Sequence, residues 1–576
     1  MMRRTVSIGA GSCLAIVAVL AAGIAPATAQ QDTGRVARSS IYVPVRDGTR
    51  LAINVYRPAV DGKPVTSKLP TIFAFTPYRA RYFDKGKLVE TFDQAIFGFR
   101  ALVAAGYAVA IADIRGKGAS FGARRGFLDQ TEAKDGRDLV QWIAAQPWSN
   151  GRVGMTGCSY LGGTTMLVAG ASPPALRAVF TAATDIDKYS FVRNGGITAQ
   201  FNTRPDEPLS VDAASVPVDA DANGALLKQA VAQHAGNTPM GPLWAGMPYR
   251  DSMSSYTGTR FWEEVGPYTH LKALTNPRLA WYFWSNWSDE PTEQMILAAA
   301  NIPGKLIVGP GGHCAAPSQF DIAGEQRRFF DHYVRGIDNG IEREPRYTWW
   351  REDGTGGELV RSRTLPGVGI VRTPVYLGAT AATLGLTRPA ADETRFKVDY
   401  DVPGADYFAF WPKPMDKFGP TFTTAPLASD ARILGYPVAR IRVAIDKPDA
   451  VLFAYVEDVA PDGQATVIAH GRLDAAHRKL SRPPYARLDL PYHSGLQADV
   501  APMTPEIPAT LAFSLSPRAY TFQRGHRIRV TLAGADPRQR NLAQIRQTPP
   551  PEFRILTGGP EGSRVDLPFT TTATFQ

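Results

Sequence analysis

Between Ile41 and about Gly340 the sequence alternates short apolar runs with stretches of helical periodicity, and few folds accommodate that alternation. The runs "IYVPV", "LAINVY", "TIFAF" (Thr71 to Phe75), "YAVAIAD" (Tyr107 to Asp113), "RVGMTG", "RAVFTA" (Arg177 to Ala182), "LAWYFWS" (Leu279 to Ser285) and "KLIVGP" (Lys305 to Pro310) are apolar at most positions. A strand with no polar face must be covered on both sides, and this is the condition of a parallel sheet sandwiched by helices. The intervening "AKDGRDLVQWIAAQ" places apolar residues at helical spacing. An α/β fold is the expectation.

Two stretches depart from that rhythm. Residues 187–272 are rich in Pro, Gly, Asp and Met around a helical patch, "GALLKQAVAQHA", and read as a helical cap inserted into the α/β domain. Beyond Arg343, short alternating runs such as "PVARIRVAI", "AVLFAYVEDV" and "HRIRVTLAGA" lie between Pro, Gly and Asp turns, the pattern of an antiparallel sandwich. The expected organisation is therefore 30–186 and 273–345 as two parts of one α/β domain, 187–272 as its cap, and 346–576 as a C-terminal β domain.

The first residues have a different purpose. Arg3 and Arg4 precede an uncharged apolar run that ends at Ala27-Thr28-Ala29, a small-x-small pattern suited to signal peptidase, so residues 1–29 are expected to be a removed signal. Its Gly- and Ala-rich run falls short of the roughly 20 strongly apolar residues of a membrane anchor. The expectation is an exported, periplasmic or secreted protein with no later membrane span. The net charge is +10, but lysines and arginines are scattered, giving nucleic acid no basic stripe. His, Asp and Glu show no metal-ligand spacing, and no cofactor or metal is expected. Oligomeric state is not legible.

The stretch "RVGMTGCSYLGGTT" (Arg152 to Thr165) runs from a strand into a helix of small residues, with Ser159 at the turn. Such a tight bend lifts a hydroxyl out at the carboxyl edge of a sheet, although the usual G-x-S-x-G spacing is missed because Leu161 stands where the second glycine belongs. A serine needs a base to take its proton and an acid to orient that base, in the chain order Ser, acid, His for an α/β-hydrolase. Of eight histidines, His313 follows a clean apolar strand in "LIVGPGGHC", whereas His332 lies in a helical pattern and His270 at the edge of the insertion. Asp289 follows the preceding strand, with Glu290 as its competitor. Two oxyanion donors are also required, each worth about 3 to 4 kcal/mol of barrier. The Tyr160 N–H and the Tyr78 phenol, after "TIFAFTP", are the candidates, and Trp284 and Trp287 would complete an aromatic mouth for an apolar acyl group.

The set "FTPYRA", "ADIRGKGASFG", "EAKDGRDLVQWIAAQPWSNGRVGMTGCSYLGGTT", "NWSDEP", "GPGGHC" and "FFDHYVRGIDNG" resembles the CocE/NonD hydrolases. These cocaine-esterase-like relatives of the S15 Xaa-Pro dipeptidyl-peptidases include α-amino-acid ester hydrolases and glutaryl acylases. That family writes its elbow G-x-S-Y-x-G, so Gly162 is in register. The resemblance implies an α/β-hydrolase domain with a helical cap followed by a C-terminal jelly roll. It implies Ser159 as nucleophile, Asp289 as acid, His313 as base, and Tyr78 and Tyr160 around the oxyanion. Two departures stand out. Gly311 replaces the family's tryptophan before the histidine, implying a wider acyl pocket and a looser histidine loop. Pro291-Thr292 replace the extra carboxylates of the amino-acid ester hydrolases, which argues against recognition of a free α-amino group.

The expectation is thus an exported serine hydrolase acting on a small-molecule ester or amide through a covalent acyl-enzyme. A dipeptidyl-peptidase-like peptidase or acylase is the alternative within that class. An envelope carbohydrate-binding protein with an inactive hydrolase domain is the alternative outside it. Cys158 and Cys314 flank the nucleophile and the base; because the residue before an elbow serine usually points into the sheet, two thiols are expected rather than a bridge.

Overall fold

A computed structural model describes residues 35–198, 206–406, 409–539 and 542–571. The expected signal at residues 1–29 lies outside them. Every apolar run named above is a strand. In chain order these are β1 (Val36–Pro44), β2 (Arg50–Val60), β3 (Leu69–Thr76), β4 (Ala108–Asp113), β5 (Ser149–Cys158), β6 (Leu176–Ala182), β7 (Ala280–Asn286) and β8 (Lys305–Gly309). They lie side by side in the order β1-β2-β4-β3-β5-β6-β7-β8. β1 and β2 are antiparallel, and everything from β4 onward is parallel. All eight residues of β3 and all six of β4 are buried, which is why these strands carry no polar face.

Helices cover both faces. α1 (Gln130–Ala144) begins at Asp129, whose carboxylate accepts from the N–H groups of Thr131 and Glu132 and so satisfies donors the helix start leaves open. Its face of Ala133, Leu139, Val140 and Ile143 is buried. α2 (Tyr160–Gly170) is buried on almost every side, which explains its lack of amphipathic pattern. α3 (Thr292–Asn301) packs between β7 and the C-terminal domain. Between β6 and β7 the described residues form short helices, including Lys188–Val192, Ala225–Gln233 and Phe261–Val265, around Tyr189, Trp244, Phe261 and Trp262.

The C-terminal part is all-β, an 11-stranded sheet system among the described residues with its own core of Val375, Ile441, Phe513, Val530 and Ile555. The division between the two parts is less clean than the sequence suggests. Strand β9 (Tyr347–Glu352) extends the first sheet beside β8, and Arg518–Phe522 continues it from the C-terminal domain, meeting β9 at Glu352 and Tyr520. Backbone pairing thus crosses the domain border.

Candidate active site

The carboxyl ends of four parallel strands deliver four side chains to one edge of the sheet. Tyr78 follows β3, Ser159 follows β5, Asp289 follows β7 and His313 follows β8. Crevices outside strand carboxyl ends are where open α/β sheets bind ligands.

Ser159 has φ 63° and ψ −126°, far from either the strand before it or the helix after it. A non-glycine residue held there stores strain, and neighbours must fix it. The Ser159 N–H donates to Ala182 O at 3.0 Å and its carbonyl accepts from Gly163 N–H at 2.9 Å. Two glycines make the bend possible. A Cβ on Gly157 would lie 2.4 Å from the Leu161 backbone, and one on Gly162 would lie 2.3 Å from Ala182 O. The displaced second glycine of the motif therefore sits where α2 presses on β6.

His313 Nδ1 lies 3.0 Å from each carboxylate oxygen of Asp289, which is 1 % exposed. That pairing places the proton on Nδ1 and leaves Nε2 with a lone pair to accept one. The two loops are stitched together. Trp287 N–H donates to Gly309 O, Ser288 N–H to Gly311 O, and the Asn286 amide to both Gly312 O and Ala315 O, at 2.7 to 3.0 Å. Glu290, the competing acid, faces away, and its Oε1 accepts from Arg538 at 3.1 Å and Arg472 at 3.4 Å. Arg518 donates to Ser288 Oγ, so three arginines of the C-terminal domain grip the acid loop. His332 pairs with Glu342 and His270 with Gln130, both away from this edge.

Tyr78 is 41 % exposed, with its N–H donating to Thr76 Oγ1 and its ring 6.3 Å from that of Tyr160. Its loop is anchored by Asp113, whose carboxylate accepts from Ala80 N–H at 2.6 Å and Ala119 N–H at 2.9 Å. Burial pushes the Asp113 carboxyl up to about 6 against those bonds. Tyr160 presents its N–H at the start of α2, while its phenol turns inward and donates to Glu132 Oε2 at 2.8 Å. Burial, opposed by that hydrogen bond, pushes Glu132 up to about 8.

Two expectations are corrected. Trp284 (3 % exposed) and Trp287 (0 %) are core side chains, not a substrate mouth. β7 is central and covered on both faces, so its aromatics fill two separate cores, and the Trp287 indole N–H donates to Trp350 O. The ring at the histidine is instead Phe410 of the C-terminal domain, with its centroid 4.4 Å from that of His313. The thiols are also paired: Cys158 and Cys314 form a disulfide with Cα atoms 6.0 Å apart. Cys158 does point into a buried cluster as expected, but the histidine loop folds over the strand ends and brings Cys314 into the same cluster. Sequence also missed a buried Asp185–Lys188 pair beyond β6, whose ammonium lies 5.5 Å from the Phe127 ring centre. Among the described residues no group of three metal-ligating side chains occurs, and no helix is long and apolar enough to cross a membrane.

Residues 47–315 match the model of the X-Pro dipeptidyl-peptidase (S15) family, and residues 339–558 match that of the X-Pro dipeptidyl-peptidase C-terminal non-catalytic domain. A Mycobacterium bovis protein provisionally named a serine esterase is 30% identical over 92% of this chain and 95% of its own length. The cocaine esterase of a Rhodococcus species is 25% identical over 77% of this chain and 83% of its own. Among solved structures, a CocE/NonD family hydrolase from Staphylococcus aureus superposes with a TM-score of 0.71 at 19% identity, covering 92% of this chain and 93% of its own.

Proposed function

Because the chain belongs to the S15 peptidase family and its CocE/NonD hydrolase branch, we propose that it is an exported serine hydrolase cleaving an ester or amide through an acyl-enzyme. In this reading His313 Nε2 takes the Ser159 proton as Oγ attacks the acyl carbonyl, and Asp289 holds the imidazole and stabilises its cation. The Tyr160 N–H and the Tyr78 phenol receive the developing oxyanion. His313 then protonates the leaving group, and water repeats the sequence to free the acid.

The observation that carries the proposal is the gathering of Tyr78, Ser159 and the Asp289–His313 pair at one sheet edge. The surroundings favour neutral acyl substrates over peptides with a free amino terminus. Glu290 is held by two arginines and Asp185 carries Lys188 as its counter-ion, so each carboxylate already has a cation beside it. Purified protein should turn over p-nitrophenyl esters of small acyl groups faster than Xaa-Pro p-nitroanilides. A fluorophosphonate should label the wild type and not Ser159→Ala. Wild type that is neither labelled nor active on any ester would return the carbohydrate-binding reading to the front.

A further inference from the structure

The sheet order sets a problem for His313. Cys158 is level with Ala182 on β6, Ala182 with Trp284 on β7, and Trp284 with Ile307 on β8. Three strand spacings of about 4.8 Å separate the nucleophile's strand from the base's strand, roughly 14 Å in all. Asp289 needs no such reach, because β7 and β8 are neighbours and four hydrogen bonds join the loops beyond them. Ser159 does.

The loop that must bridge the gap is poorly equipped to hold itself. It runs "PGGHCAAPS" from Pro310 to Ser318, and Gly311 and Ala315 are exposed. A Cβ on Gly311 would touch nothing closer than 4.0 Å, so the position is open space. Gly311 has φ 101° and Cys314, a side-chain-bearing residue, has φ 54°. Such a backbone stays in place when something beyond local preference fixes it. The covalent tie from Cys314 to Cys158 supplies that, joining the residue after the base to the residue before the nucleophile across 156 positions of sequence.

We propose that the Cys158–Cys314 disulfide is a positioning element that holds His313 in reach of Ser159, so that the enzyme is competent only when oxidised. This rests on the serine hydrolase reading above. Neither sulfur touches substrate; both act through the histidine. A dithiol that opens the bond delivers two electrons and two protons, becomes a cyclic disulfide itself and leaves two cysteine thiols, and the histidine loop is then held toward Asp289 alone. An oxidising compartment, as expected for an exported protein, keeps the bond closed.

The test uses the full chain with a p-nitrophenyl ester, alongside Cys158→Ala/Cys314→Ala, and counts active sites by fluorophosphonate titration. Dithiothreitol, with opening verified by alkylation of both cysteine peptides, should lower kcat per titrated site by about 100-fold, the scale of a misplaced catalytic group. KM should change much less, and reoxidation should restore the rate. The double variant should show the same lowered kcat while folded, and no further response to dithiothreitol. An unchanged kcat per titrated site in the reduced protein or the double variant, even with a lowered melting temperature, overturns the proposal, since a purely structural bond removes molecules rather than slowing each one. Oxidised wild type with neither labelling nor turnover overturns the hydrolase reading and this proposal with it.

Discussion

Toward Asp289 the histidine loop is held by hydrogen bonds between neighbouring strand ends; toward Ser159 it is held by a disulfide that spans two intervening strands. The first contact is a local consequence of sheet adjacency, and many weak bonds share it. The second joins distant parts of the sheet through one covalent bond. In the serine hydrolase proposed above, the triad would therefore be half inherited from the fold and half dependent on a chain-specific device, and its two halves should fail differently.

The largest effect should come from the reacting groups themselves. Ser159→Ala should lower kcat by about 10⁶, and Asp289→Asn by about 10⁴ through the wrong imidazole tautomer. Glu290→Gln should instead lower the melting temperature more than the rate, since it removes a charged partner shared by two buried guanidinium groups, of which Arg538 keeps Asp536. A rate loss in Glu290→Gln matching that of Asp289→Asn would reassign the acid.

Asn286→Ala cuts the tie on the acid side without touching sulfur. Because backbone bonds from Trp287 and Ser288 remain, kcat should fall by about tenfold, well short of the loss on opening the disulfide. Equal losses from the two would erase the contrast between the halves.

Phe410→Ala removes the ring against His313 and should alter kcat/KM by up to about tenfold, most for large acyl groups, as expected of a contact worth about 0.5 to 1.5 kcal/mol. Identical factors across a series of acetyl, butyryl and benzoyl esters would show that the ring only packs the histidine.

The smallest effect concerns stability and pH. Glu132 titrates near 8 when folded against 4.5 as a free side chain, because burial outweighs its bond from Tyr160, with Asp129 and Asp135 raising it further and Arg124 opposing. The folded chain thus holds a proton that the unfolded chain has lost. This contribution to stability is full below about pH 4.5 and disappears as pH rises through 8. Glu132→Gln should show a smaller fall in melting temperature from about pH 5 to pH 8.5 than wild type. Parallel slopes would place the titration elsewhere.

Much of the sheet was legible because strands buried on both faces carry a nearly unbroken apolar signal, as in "TIFAF" and "YAVAIAD". That Ser159, Asp289 and His313 each follow a strand end was legible because the apolar runs before them mark those strands. What stayed hidden depended on side-chain direction or long-range closure. Trp284 and Trp287 lie where a site would be expected, yet strand alternation in a covered sheet sends the first ring into one core, and the second, just past the strand, turns into the other and donates to Trp350 O. Phe410 sits in an irregular stretch of another domain, with no periodicity to mark it. The bridge at Cys158 follows from how a glycine-rich loop doubles back over two strands, and local sequence does not encode that path.

The three arginines on the acid loop and the strand Arg518–Phe522 beside β9 bear on how the protein can be divided. A chain cut after residue 345 would retain the serine, carboxylate and imidazole but strip away Phe410, the guanidinium groups and part of the sheet edge. The C-terminal domain is better regarded as a wall built against the Asp289 and His313 loops than as a detachable passenger, and domain exchange between relatives would have to carry that wall and those loops together.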